Sequence, residues 1–183
     1  VARFAKEAPE KLASCGKVTR SIKVALLDDD GKQVPLGEAG EICARGVLVS
    51  HSYFEKPEET AEVRKFGWHH TGDVGKFDED GYLYIVDRKK DMIRTGGENV
   101  ASQEIERVIY ELEWVAEVAV VGIADEKWGE RIRAVIVPRD GFTPSQVELI
   151  EHCKGKLASF KVPKEVLFRS ELPRNPSGKV LKR

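Results

Sequence analysis

The sequence predicts an α+β protein, with a β-rich, barrel-like part followed by a small α+β domain, and three observations predict it. Short apolar runs punctuated by glycine turns occupy residues 21–86, the pattern of a compact barrel-like or layered β unit. Five consecutive charged residues, Asp87-Arg88-Lys89-Lys90-Asp91, then break the pattern. No buried strand tolerates such a run at its middle, so it reads as a surface crossing and a domain boundary. Beyond it, helical periodicity appears beside strand-like runs. The 183 residues accommodate one domain or two small ones, and 41% hydrophobic with 33% charged residues suits a chain that buries a core rather than a disordered one.

Residues 21–27 form a strand that runs into the Asp29-Asp30-Gly31 turn. Residues 41–45 alternate polar and apolar residues after the breakers Gly37 and Gly40, and a second turn, Asp80-Gly81, introduces the strand 82–86. After the charged run, Ile105, Val108, Ile109 and Leu112 fall at i, i+3, i+4 and i+7, which predicts an amphipathic helix. Residues 118–121 and 131–137 read as strands. Thr143-Pro144-Ser145-Gln146 is a helix start, with Thr143 as N-cap, Pro144 at the first helical position and Gln146 three residues after the cap. That helix is expected to turn Val147, Ile150 and Leu157 inward.

Charge and cysteine usage narrow the function classes. The net charge is −1, yet residues 151–183 carry nine Lys/Arg against three acids. A basic end on an acidic body points to an anionic ligand near that end, or to a solvated tail. Few aromatics interleave with the basic residues and no nucleic-acid motif appears, which argues against nucleic acid as a partner. Cys15, Cys43 and Cys153 are widely spaced without a CxxC pair, which argues against a disulfide framework or zinc site and makes a reduced, cytoplasmic setting the expectation. No apolar run reaches the roughly 18–20 residues of a membrane span, and no secretory signal opens the chain. Residues 1–6 lack a Met and read as the interior of a longer polypeptide, so a fragment is expected.

Four segments could carry chemistry. His69 and His70 are adjacent on a strand and point to opposite faces, so they do not share one ion; with no neighbouring Cys or acidic cluster in sequence, structural or substrate-lining histidines are expected and no metal. Thr71-Gly72-Asp73 places a carboxylate after a glycine turn, and its two acceptor oxygens match a vicinal diol such as a ribose. Thr95-Gly96-Gly97-Glu98-Asn99 lacks the GxxxxGK[ST] phosphate pattern, but paired glycines let a ligand pass close to bare backbone. Pro173 to Arg183 is a Pro/Gly-punctuated loop that presents a lysine, Lys179, to an anion or to solvent.

In this order and spacing the segments resemble the C-terminal portion of an adenylate-forming acyl-CoA synthetase, the superfamily of acyl-CoA ligases, luciferase and peptide-synthetase adenylation domains. Gly37-Glu38-Ala39-Gly40-Glu41-Ile42 through the run Ser52 to Ala61 resembles the family's GE(I/L)…GY…P..T segment. Trp68 to Asp73 resembles its aromatic-x-TGD motif, and Asp87 to Asn99 its hinge and following loop. Leu157 to Lys164 and Pro176-Ser177-Gly178-Lys179 resemble its last two motifs. Five matches in register cover nearly the whole chain. One departure is Val100-Ala101-Ser102-Gln103-Glu104, which replaces an aromatic-Pro-x-Glu and is expected to alter helix entry.

The resemblance implies residue roles. Asp73 would bind the ribose hydroxyls with help from Arg88, and Ile85 would line the nucleotide pocket. Lys179 would be the catalytic lysine bridging the attacking carboxylate and the α-phosphate, its glycine and prolines suiting mobile presentation. Lys90 would be the hinge. Arg94, Gly96, Gly97, Trp128, Phe160 and Lys164 would meet CoA, with a partly buried core aromatic as the alternative for Trp128. The implied organisation is residues 1–87 as the β-rich end of the large domain, 88–90 as hinge and 91–183 as a mobile small domain. The partners implied are a carboxylic acid, with a medium- or long-chain fatty acid preferred, ATP, CoA, and the missing N-terminal portion of the same protein. Mg is expected to sit mainly outside this sequence. The chain begins after the family's phosphate loop and most of its acyl pocket, so it is expected to be inactive alone. The rival readings are an adenylation domain loading a carrier protein and a non-catalytic module binding anions or nucleic acid.

Overall fold

The computed structural model describes residues 8–182; the opening residues 1–6 and Arg183, which figure in the sequence reading, lie outside the described residues. The chain divides after Lys90 into two compact units, each with its own five-stranded sheet. Both sheets, with three short α-helices between their strands in sequence, give the mixed α+β class that the sequence predicts.

In the first unit β1 (Gly16–Lys17), β2 (Lys23–Leu27), β3 (Gly40–Arg45), β4 (His69–Phe77) and β5 (Tyr82–Arg88) form an antiparallel sheet in the order β1-β5-β4-β3-β2. The two acidic turns use one device. Asp28 Oδ1 accepts from the backbone of Asp30 and Lys32, and Asp78 Oδ1 accepts from Asp80 and Tyr82. The first aspartate of each run, three residues before the glycine, therefore holds the turn as a side-chain mimic of backbone. The core of this unit is thin: buried Ala25, Leu27 and Cys43 pack with Trp68, over whose ring lies the Arg45 guanidinium. The helix α1 (Pro57–Val63), with Pro57 in its first turn, buries no residue.

Two expectations fail here. Residues 41–45 alternate in polarity, yet Gly40 through Cys43 are all buried and Glu41 is only 6% exposed, because its carboxylate is held by donors inside the unit. The charged run is likewise not wholly a surface crossing. Asp87 is 1% exposed and, with Arg88, completes β5. Its carboxylate accepts from the Arg88 backbone N–H, so a buried charge is hydrogen-bonded rather than bare.

The second unit carries the larger core. β6 (Ile93–Thr95), β7 (Glu98–Val100), β8 (Val115–Asp125), β9 (Gly129–Pro138) and β10 (Glu165–Phe168) are arranged around β9, which pairs antiparallel with β8 and parallel with β10. Along β9, Ile132, Ala134 and Ile136 are buried at period two. Helices α2 (Ser102–Ile109) and α3 (Gln146–Lys156) bring Ile105, Ile109, Leu149 and Cys153 into the same cluster. Burying each of the larger side chains contributes about 1.5–3 kcal/mol.

Helix α3 starts two residues later than predicted. Ser145 is the N-cap, and its hydroxyl accepts from the Glu148 backbone N–H, which displaces the Thr143–Pro144 signal. The carboxylate of Glu148 is engaged instead by the indole N–H of the buried Trp114. The inward face is Leu149, Ile150, Cys153 and Leu157, so Val147, two residues or about 200° from Leu149, is 73% exposed. Among the described residues no helix is long and apolar enough to cross a membrane.

Candidate functional site

Thr71-Gly72-Asp73 is not a turn but a bulge inside β4. Glu41 pairs with Val74 and Cys43 with His70, so three residues of β4 stand opposite the single residue Ile42 of β3. Each residue type has a task there. Gly72 takes φ 75°, a left-handed conformation that side chains other than glycine's resist. The Thr71 hydroxyl donates to Ile42 O at 2.8 Å and accepts from Asp73 N at 3.1 Å, and Gly72 N donates to Glu41 Oε1. Backbone groups freed by the bulge are thus satisfied by side chains. The result aims Asp73 at Arg88, its register partner on β5, whose Nε lies 2.8 Å from Asp73 Oδ1.

A second bulge sets what faces this pair. Val74 pairs with Asp87 and Gly75 with Ile85, leaving Val86 as an extra residue in β5. The extra residue reverses the alternation, so Ile85 is 44% exposed while Asp87 turns inward. Ile85 therefore presents an open apolar surface three residues from Arg88.

Glu41 is the residue that sequence reasoning missed. Its Oε2 accepts from Lys89 Nζ at 2.9 Å and lies 2.9 Å from His70 Nδ1, and Lys89 also pairs with Asp29 at 2.7 Å. Burial pushes the Glu41 carboxyl upward in pKa, but hydrogen bonds and charge from His70 and Lys89 outweigh it and hold the group below its ordinary 4.5. The signal in the sequence is the Gly40-Glu41 pair of the GE(I/L) segment, which by itself gives the acid no task.

The sequence places no Cys or acid beside His70, but the β3–β4 ladder does. Glu41, Cys43 and His70 offer one ligand atom each within 4.8 Å of one another. A thiol and an imidazole do not suit Mg²⁺, which takes oxygen ligands, and the Lys89 ammonium already neutralises Glu41. His69, on the opposite face, has Nδ1 buried with no hydrogen-bond partner among the described residues. Burial and then the Glu41 charge push the Cys43 thiol up to about 12, and burial pushes Cys153 up to about 11. Only Cys15 is exposed. A thiol reagent such as Ellman's is therefore expected to titrate one thiol in the folded chain and three after denaturation.

The hinge candidate Lys90 is exposed in the 3₁₀ turn Lys89–Asp91, directly after the residue that Glu41 and Asp29 hold.

In the second unit Gly96 and Gly97 are the two-residue tip of the β6–β7 hairpin, with φ 60° and 85°. Positive φ at both positions is what a type I′ turn requires. A Cβ on Gly96 would stand 3.2 Å from the Trp128 ring, and Gly96 N donates to Trp128 O. Trp128 is 48% exposed, so it is not a core aromatic, and Lys127 Nζ lies 4.8 Å from the ring centroid. Arg94 is exposed on β6, its backbone N–H bonded to Glu130. The structure thus gathers Arg94, Gly96, Gly97 and Trp128 at one hairpin. Phe160 and Lys164 belong to a different segment. Phe160 is exposed in the turn Ser159–Lys161, and Lys164 N donates to Ile132 O farther along β9.

Lys179 sits in a closed hairpin rather than a loose loop. Arg174 and Val180 form a bridge, Lys179 N donates to Asn175 Oδ1, Asn175 N to Lys179 O, and Leu181 N to Pro173 O. Arg174 pairs with Glu117 of β8 and donates to Gly178 O.

Residues 104–179 match the AMP-binding enzyme C-terminal domain family. The chain is 46% identical over 179 residues, 98% of its length, to the long-chain-fatty-acid–CoA ligase FadD13 of Mycobacterium tuberculosis, covering 35% of that protein. It is 45% identical to a feruloyl-CoA synthase of Amycolatopsis sp, over 94% of this chain and 35% of the relative. The o-succinylbenzoate CoA synthetase MenE of Bacillus subtilis, solved with its acyl-adenylate intermediate, superposes with a TM-score of 0.88 at 37% identity, over 98% of this chain and 36% of that one. The chain thus spans about a third of the length of the relatives it matches. From its family match, its relatives and its fold, the chain belongs to the adenylate-forming acyl-CoA ligase superfamily, as the C-terminal portion of such an enzyme.

Proposed function

We propose that this chain supplies the ribose-facing carboxylate, the thiol-side surface and the mobile lysine of an AMP-forming acid–thiol ligase of the cytoplasm. A carboxylate is a poor acyl donor because its leaving group would be oxide. Its oxygen attacks the α-phosphate of ATP, pyrophosphate leaves, and the acyl-adenylate carries AMP as a good leaving group. The thiol of CoA then attacks the acyl carbon, AMP departs, and the thiol proton is released. The observation that carries this reading is the Asp73–Arg88 pair, built by two bulges at the edge of an open apolar residue, in a chain similar throughout to CoA ligases.

In the first step Asp73 accepts from the ribose hydroxyls, Arg88 steadies it, and Ile85 packs against the nucleotide. Lys179 lies between the carboxylate and the α-phosphate and offsets the charge that accumulates as two anions meet. For the second step residues 91–183 turn about Lys90, while Lys89 stays fixed to Glu41 and Asp29. Gly96 and Gly97 then give the pantetheine arm a side-chain-free path beside Arg94. Trp128 and Phe160 offer ring faces to the CoA base, and Lys164 a cation to its phosphates. A fatty acid is the acid we favour, on the identity with a fatty-acyl ligase; an aryl acid is the competing outcome.

The test is acid-dependent pyrophosphate–ATP exchange and CoA thioester formation by the enzyme that carries this chain. Fatty acids are expected to support both reactions, and exchange with no carboxylic acid would remove the reading. Lys90→Pro sharpens it. Proline fixes φ near −65°, so it serves at most one of two backbone states. One half-reaction is expected to slow far more than the other, and two unchanged rates would show that the pivot lies elsewhere.

A further inference from the structure

The hydroxyl of Ser102 has a use other than capping. Ser102 stands where the family resemblance puts a proline, at the start of α2, whose N-cap Ala101 makes no side-chain capping bond. The Ser102 side chain is fully buried, and its Oγ accepts from Lys182 Nζ at 2.7 Å, across 80 residues of sequence. The same ammonium lies 2.7 Å from Glu106 Oε1, one turn along α2, and both charged side chains are largely buried. Glu106 is itself fixed, because Oε1 also accepts from Val120 N of β8. A largely buried cation with a carboxylate and a hydroxyl around it is a strong anchor, because removing one partner strands the others.

Lys182 lies three residues after Lys179, on the second arm of the hairpin. The first arm is tied to β8 through Arg174 and Glu117. The hairpin is thus held at both arms, with Lys179 on the second arm between its tip and the Lys182 anchor. We infer that Lys182, seated on Ser102 and Glu106, is a positioning residue that fixes the Lys179 hairpin to the second unit. The catalytic consequence rests on the function proposed for Lys179; the anchoring does not. Mobility in the enzyme then belongs to the whole unit, and the lysine travels with it as a rigid attachment.

Backbone hydrogen exchange of the 183-residue chain tests the anchor without any catalysis, so its outcome is separate from that of the reaction. In Lys182→Met the amides of Gly178, Lys179 and Leu181 are expected to exchange about 10- to 100-fold faster, the loss of a charged hydrogen bond converted at tenfold per 1.4 kcal/mol. Amides of β9 should hold their rates, and Lys182→Arg should restore most of the protection. Unchanged hairpin exchange in Lys182→Met overturns the inference. If that variant loosens β9 as well, Ser102→Ala decides. Faster exchange confined to the hairpin supports the anchor, and no change there overturns it. In the active enzyme the matching signature is a fall in adenylation kcat at constant KM for ATP, rescued by arginine.

Discussion

Lys179→Ala, introduced into the enzyme that carries this chain, is expected to slow acyl-adenylate formation by at least about 10²–10³-fold, the usual loss for one positioned charge-stabilising group. Thioester formation from supplied acyl-adenylate should persist near its original rate. The substitution is clean because the hairpin contacts at this position are made by the Lys179 backbone N–H and carbonyl, which alanine retains. Separate assays of pyrophosphate exchange and acyl transfer decide the matter. Equal losses in both half-reactions would assign Lys179 a structural task and move the charge-offsetting role elsewhere.

Glu41→Ala is expected to be the most damaging single change to the first unit. It removes the acceptor of Gly72 N in the bulge, of His70 and of Lys89 together. Breaking a buried ion pair costs about 3–5 kcal/mol, and the lower end applies because Lys89 is partly exposed and keeps Asp29. The pH dependence has a definite sign. The folded-state pKa of Glu41 is depressed below its ordinary 4.5, so the folded chain binds this proton less tightly than the unfolded chain. Its contribution is fully present above 4.5 and is lost as pH falls through the folded value. Denaturant melts across pH 3–7 should show that acid loss in the parent and a flatter profile in Glu41→Ala. A variant as stable as the parent at neutral pH would mean the network contributes nothing.

What the sequence made legible was local. The β-then-α+β order, the acidic turns and the Thr71-Gly72-Asp73 motif are carried by residues within a few positions of one another. The two bulges were not legible, because each depends on a partner strand and alternation alone assigns every second side chain to one face. Alternation alone therefore makes Glu41 one member of an alternating strand, and the charge run makes Asp87 part of a surface crossing. The start of α3 turned on one hydroxyl, with Ser145 prevailing over a Thr-Pro signal that is equally good in isolation. Trp114 and Trp128 look alike in sequence, yet one is buried with its N–H on Glu148 and the other lies half open beside Gly96. The Ser102–Lys182 contact spans almost half the chain, beyond the reach of any window.

The bulge in β4 also bears on how the sheet finds its pairing. A strand can slide along its neighbour in steps of one residue, exchanging its inward and outward faces each time. Here such a step would move the left-handed position from Gly72 onto Thr71 or Asp73, at about 1–2 kcal/mol for an L side chain. It would also carry the Thr71 hydroxyl away from Ile42 and the bulge N–H away from Glu41. The same three residues that aim Asp73 therefore also discriminate between registers, because their bonds form in one register alone. A mispaired β3–β4 ladder is thus penalised at Thr71-Gly72-Asp73, and only the native register sets Asp73 opposite Arg88.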